Sequence, residues 1–341
     1  MQPPTPTSAG STRFATTIYP SMGPAENLMC AVWVVDGMAS RRRYYEGDDV
    51  VQDCHWHHDK LVNWESADVE DDMNIACGGQ AELYNLDGVA YESVVVGLFS
   101  IITGKRCSPP QPFHRGGEQD AVYVGFSRNG FDFLRSPERA AAFLPMSPHP
   151  GDWNFQNVQS TGGGFLTLHE TLVFFVGGRS GSCTGTPGCE NGQWNGNATT
   201  GMATLRRDGF ASATTAAAKG GTLITAVVEW SVGVHFFVNA NVSAAGPLSI
   251  ELLAAVGGGV LKTAIPVLAG TDYARFHVLW EDHLGLEQYQ GVPVRLRFQL
   301  SDGSHLYSFW VSEDATGCSG GPVAGGGRGY NSSRDLCAGS R

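Results

Sequence analysis

The stretch Gly201-Met202-Ala203-Thr204-Leu205-Arg206-Arg207-Asp208-Gly209-Phe210-Ala211-Ser212 decides how this chain is divided. Its first half has the texture of a strand. Arg207-Asp208-Gly209 reads as a tight turn, because Asp and Gly tolerate the positive φ that such turns demand. Phe210 is an apolar return. Before this stretch the sequence looks like repeated sheet units; after it, to about Val311, it looks like one all-β module. The stretch is therefore the joint between two architectures.

Working back from the joint, the same unit occurs three times. The nearest copy has an entry strand at Asp152–Gln156, an apolar strand at Leu172–Gly177, a strand at Met202–Leu205, the turn and Phe210. The copy before it has Ala81–Tyr84, Val94–Ser100 and Ala121–Ser127, then the turn Arg128-Asn129-Gly130 and Phe131-Asp132-Phe133. The first copy has Phe14–Ile18, Leu28–Val35 and Val50–Trp56, then Asp59-Lys60 and Trp64. The second strand of each copy is apolar without interruption, as a strand buried on both faces requires. The repeat spacing, roughly 50 to 70 residues, suits propeller-type units with insertions. A four-stranded blade cannot bury its faces alone, so neighbours must stack. A β-sandwich with coincidental spacing is the competing reading; the repeated turn-then-aromatic ending favours blades.

Beyond Gly220 the texture changes to short strands separated by Gly turns, and Val294–Leu300 alternates strictly between apolar and polar. That pattern describes a half-buried strand of a β-sandwich. The expected fold is all-β: a partial β-propeller of about three blades followed by a C-terminal β-sandwich. The expected divisions are a Pro/Thr-rich segment at 1–12, blades at 13–212, the sandwich at 213–311 and a Gly/Ser/Cys tail at 312–341.

Composition excludes several function classes. With 341 residues and a formal net charge of −11, the chain is a poor partner for nucleic acid or an acidic membrane, and a neutral or cationic ligand fits better. No apolar run reaches the ~18 residues that span a membrane. The start, Met1-Gln2-Pro3-Pro4-Thr5-Pro6, lacks the basic and apolar regions of a signal peptide. Of the eight cysteines, Cys183 and Cys189 bracket a short loop, and Cys318 and Cys337 flank the Gly-rich tail, so both pairs are candidate disulfides. Sequons stand at Asn197, Asn241 and Asn331. Together with those disulfides they point to an extracellular or secretory setting.

Leu205–Ser212, then Phe237-Val238-Asn239-Ala240, Ser249–Leu252, Val294–Phe298 and Leu306–Phe309, follow one another in an order that resembles one group of proteins. These are five-bladed β-propeller glycosidase-like proteins, related to the invertase and arabinosidase superfamilies. The resemblance reaches upstream through Ser127-Arg128-Asn129-Gly130 and Leu83-Tyr84-Asn85-Leu86 and covers about Arg13 to Val311. It implies five blades where three are visible, and so about two further blades ahead of Arg13. It also implies a first-blade carboxylate with no counterpart here. Carbohydrate is the ligand that it implies. The activity that the resemblance implies is glycoside hydrolysis at an axial cleft; the rival is a non-catalytic glycan-binding or structural module.

Glycoside hydrolysis needs two carboxylates flanking the sugar. Entry strands of a propeller run beside its axis, so acids at their starts can converge. Glu82 stands at such a start and matches the general acid of the resemblance. Asp71 and Asp152 lie at or just before entry strands and complete the candidate catalytic set. Glu82 and Asp152 are expected to be neighbours, with the Glu82 pKa raised towards general-acid range. Tyr84, Trp153 and Phe155 are the candidate sugar-stacking residues. In Cys54-His55-Trp56-His57-His58-Asp59 the spacing allows a His-x-His pair without a third ligand, so an ordinary strand is preferred and no metal or cofactor is expected.

Overall fold

A computed structural model describes residues 17–20, 28–36, 39–47, 61–71, 81–103, 119–136, 139, 141–149, 152–155, 157–162, 164–179, 198–215, 219–323, 325–326 and 334–336. The regular structure in these residues is almost wholly strand. No helix among them is long and apolar enough to cross a membrane.

Strands β1 (Thr17–Pro20), β2 (Leu28–Asp36), β3 (Ala39–Gly47) and β4 (Val62–Ser66) form an antiparallel sheet in chain order. The third strand differs from expectation. It lies at Ala39–Gly47, while Val50–Trp56 falls outside the described residues. The run Arg41-Arg42-Arg43 hides it from a hydrophobicity reading, because Arg42 points inward and is only 2% exposed.

Strands β5 (Glu82–Tyr91), β6 (Val94–Thr103), β7 (Gln119–Ser127) and β8 (Leu134–Arg135) repeat the arrangement, again in chain order. β6 is buried along nearly its whole length, as its apolar sequence requires. The sheet is two-faced. Leu83, Leu86, Phe99 and Ile101 build a core on one face, with Trp64 and Phe133 packed against it. The aromatic after the turn now has a cause. Gly97 and Gly125 pair across β6 and β7, and a Cβ at Gly97 would sit 2.6 Å from Phe133. That vacancy lets Phe133 pack edge-on against Phe99, 5.4 Å between centroids.

Strands β9 (Val158–Ser160), β10 (Leu166–Leu168), β11 (Thr171–Arg179) and β12 (Ala198–Arg206) build the third sheet; β9 and β10 both pair with β11. Asp152–Phe155, the described part of the expected entry strand, is not a strand. The Asp152 N–H donates to the His149 carbonyl (3.2 Å) and the Phe155 N–H to the Asp152 carbonyl (3.2 Å). Two successive turns thus occupy that segment, and the entry strand is displaced to β9.

The chain forms two compact units: residues 1–165 with 174–203, and 166–173 with 204–341. The second contains the sandwich. One sheet has β13 (Ala213–Thr214), β15 (His235–Val242), β18 (Thr271–Val278) and β20 (His305–Ser312). The other has β14 (Gly221–Ile224), β16 (Ser249–Ala254), β17 (Val260–Thr263) and β19 (Val294–Leu300). Their shared core includes Phe236, Val238, Ile250, Leu252, Leu296 and Phe298. β19 buries Val294, Leu296, Phe298 and Leu300 in alternation, as its sequence dictates.

Within this unit the Arg206–Gly209 turn is anchored residue by residue. Arg206 Nε donates to Asn239 Oδ1 (2.6 Å), and Asn239 Nδ2 donates back to the Arg207 carbonyl (2.7 Å). Asp208 has φ 58°, the left-handed conformation expected of that Asp, and its carboxylate accepts the Ser308 hydroxyl. Arg207 is buried against Asp335 (2.9 Å), which also accepts the Ser319 N–H (3.0 Å). Part of the C-terminal tail is therefore ordered. A last short strand, β21 (Gly325–Gly326), pairs parallel with β10. No described cysteine is a free thiol. The pairings expected of Cys183 with Cys189 and of Cys318 with Cys337 involve residues outside the described ones.

Candidate functional site

The polar face of the β5–β8 sheet is made by an irregularity. Leu83 pairs with Ile101 but Asn85 pairs with Ser100, which leaves Tyr84 as an extra, bulged residue. A regular strand would place Leu83 and Asn85 on one face. The bulge sends Leu83 into the core and brings Asn85 and Asp87 to the same face as Glu82. On the neighbouring strands this face carries Ser100 and Asp120. All five of these positions are polar, and Glu82 (2%), Asp87 (1%), Ser100 (0%) and Asp120 (0%) are fully buried.

Glu82 is opposite Ile102, and Ile102 is opposite Asp120. The two acids therefore share one cross-strand row and one face. Two strand spacings, ~9.6 Å, separate their backbones. Ile102 stands between them in that row. Asp120 in turn bridges to Asn157, just before β9.

A hydrogen-bonded network links this face to the neighbouring sheets of the first unit. Arg42 on β3 donates to the Tyr84 carbonyl (2.9 Å) and to Asn85 Oδ1. Asn85 Nδ2 donates to Asp87 Oδ2 (2.8 Å), and Ser160 on β9 donates its hydroxyl to the same carboxylate. Burial pushes the Asp87 carboxyl above its ordinary pKa, against the opposing pull of Ser160, Asn85 and Arg42.

The other expected site residues are dispersed. Both carboxylate oxygens of Asp71 receive Arg135, at 2.9 and 2.8 Å, in a buried fork. That bond commits Asp71 to holding Arg135. Asp152 sits on an exposed turn, where its carboxylate takes the Ser147 hydroxyl. Phe155 is 2% exposed and belongs to the interior, with no ring face open to a ligand. Tyr84 is half-buried at the bulge. Trp153 is 39% exposed. Its ring lies on a floor of two glycines: a Cβ would come within 2.5 Å of it at Gly178 and 2.3 Å at Gly201. Gly178 also lines a hollow of about 210 Å³ that includes Asn157, Gln159, Arg179, Thr199 and Thr200.

Asp120, Asp87 and Arg42 were missed in the sequence. Asp120 had a usable signal, since it directly precedes the apolar run Ala121–Ser127 as Glu82 begins its own strand. Among the described residues, no group of three or more His, Cys, Asp or Glu could hold a metal. The Cys54–Asp59 cluster lies outside them.

No family model matches this chain, and no curated protein matches it. Two solved structures are similar in outline. A glycoside hydrolase family 43 arabinoxylan arabinofuranohydrolase from Bacillus subtilis, in complex with cellotetraose, is 11% identical with a TM-score of 0.29; the match covers 88% of this chain and 66% of that one. A Bombyx mori GH32 β-fructofuranosidase mutant, in complex with sucrose, is 12% identical with a TM-score of 0.27, covering 86% of this chain and 64% of that one. The chain thus spans just under two thirds of the length of these structures. At such TM-scores neither likeness assigns an activity here.

Proposed function

We propose that this chain is a glycosidase-like carbohydrate protein in which Glu82 and Asp120 are the acid–base pair. The observation that carries this reading is their placement: two buried carboxylates on one face and in one cross-strand row, about 9.6 Å apart at the backbone. In this reading Glu82 protonates the leaving oxygen and Asp120 activates the water, as in an inverting hydrolysis. Trp153 offers an exposed indole for stacking against a sugar ring. The Asp87–Asn85–Ser160 network positions β5 against β9.

A second reading is a glycan-binding module without hydrolysis. It is favoured by the near-complete burial of both carboxyls, which gives a sugar little direct access to them. Oligosaccharide hydrolysis and binding, measured together on Glu82→Gln and Asp120→Asn, separate the two. Loss of roughly 10²–10⁴ in kcat with binding retained supports the acid–base pair. Binding by the unaltered chain without any turnover favours the second reading, and absence of both sinks the carbohydrate assignment.

A further inference from the structure

The hollow beside Trp153 has a chemical bias. Among the described residues its wall contains one cation, Arg179, two amides, two threonine hydroxyls and small residues, and no acid. This is a local exception in a chain of net charge −11. Among the described residues, the Arg179 guanidinium has no ion-pair or hydrogen-bond partner; only its backbone N–H is engaged, with the Asn157 carbonyl (3.4 Å). Asn157 is 4% exposed, yet its side-chain amide likewise has no partner among those residues. It lines the hollow together with an uncommitted guanidinium.

We propose that this hollow is a subsite for an acidic sugar, whose carboxylate or sulfate ester is held by Arg179 while Asn157, Thr199 and Thr200 take ring hydroxyls. A guanidinium presents parallel N–H donors that match an oxyanion bidentately. Trp153 rests on Gly178, which also lines the hollow. The proposal rests on the carbohydrate reading above and narrows it to an anionic ligand class.

The test is calorimetric titration of the full chain and of Arg179→Gln with trigalacturonate, its fully methyl-esterified form and sodium sulfate. The ester keeps the sugar and removes the charge. Trigalacturonate is expected to bind the unaltered chain roughly tenfold or more tightly than the ester, as a charge-assisted pair implies. Arg179→Gln should erase that preference while leaving ester binding unchanged. Its melting temperature should also be unchanged, because the guanidinium has no described intramolecular partner to lose. Equal binding of acid and ester overturns the proposal and leaves the carbohydrate reading standing. If neither oligosaccharide binds, both fall. If sulfate alone binds as tightly as trigalacturonate, and through Arg179, the hollow is a plain oxyanion site and the sugar assignment is overturned.

Discussion

At the scale of single residues, buried charge has two outcomes in this chain. Asp71 and Arg135 form a buried fork, with side chains 2% and 5% exposed, and Arg135 also reaches the half-exposed Asp68 (3.1 Å). Removing one partner strands the other, so Arg135→Met is expected to destabilise by about 3–5 kcal/mol, whereas Arg135→Met with Asp71→Leu should recover most of the loss. Urea unfolding of the single and double variants checks this. Asp87 has no such full compensation, and burial raises its pKa above the ordinary 3.8. The folded state therefore favours its protonated form. Its contribution to stability is fully present below the unfolded pKa and is lost as pH rises through the raised folded value. Asp87→Asn carries no charge at any pH, so its stability relative to the unaltered chain should grow between pH 4 and pH 7. A difference that stays constant across that range would show that the Asp87 carboxylate is not under strain.

At the scale of elements, legibility followed continuity. β2, β6 and β11 were read from unbroken apolar runs, and β19 from strict alternation, because burial alone dictates those patterns. The Arg207-Asp208-Gly209 turn was legible because its backbone chemistry is local, and Asp208 at φ 58° bears that out. β3 was not legible, since its inward arginine is bonded to atoms some forty residues away. Nor was the bulge at Tyr84, because a one-residue slip leaves no mark in hydrophobicity while exchanging the faces of everything beyond it. The companions of Glu82 on its face are Asn85 and Asp87, not the candidate stacking residue Tyr84. The Trp153 platform shows the same limit. Its floor is two glycines from different strands, and only their tertiary role distinguishes them from the many others. Gly201→Ala should collide with the indole and cost roughly 1–3 kcal/mol, with a changed tryptophan fluorescence. In a Trp153→Ala background the same substitution should cost far less. An additive double-mutant cycle would mean that the ring does not rest on Gly201.

At the scale of the whole molecule, the three sheets and the sandwich beyond them followed from the repeat and its end. The two compact units divide near residue 204, and residues 166–173 belong with the second unit. Chain order could not show this, since β10 is completed by β21 from the far end of the sequence. The second unit has its own continuous core, in which Phe298 is 0% exposed and packs against Phe309 at 5.3 Å. A core of that kind is what allows a unit to melt cooperatively by itself. Phe298→Ala should remove about 3–5 kcal/mol from it. Differential scanning calorimetry should then show one transition moving to lower temperature while another, belonging to the first unit, stays in place. If a single transition shifts as a whole, the two units fold as one cooperative block, and substitutions in the sandwich would then also weaken the Glu82–Asp120 face through global stability alone.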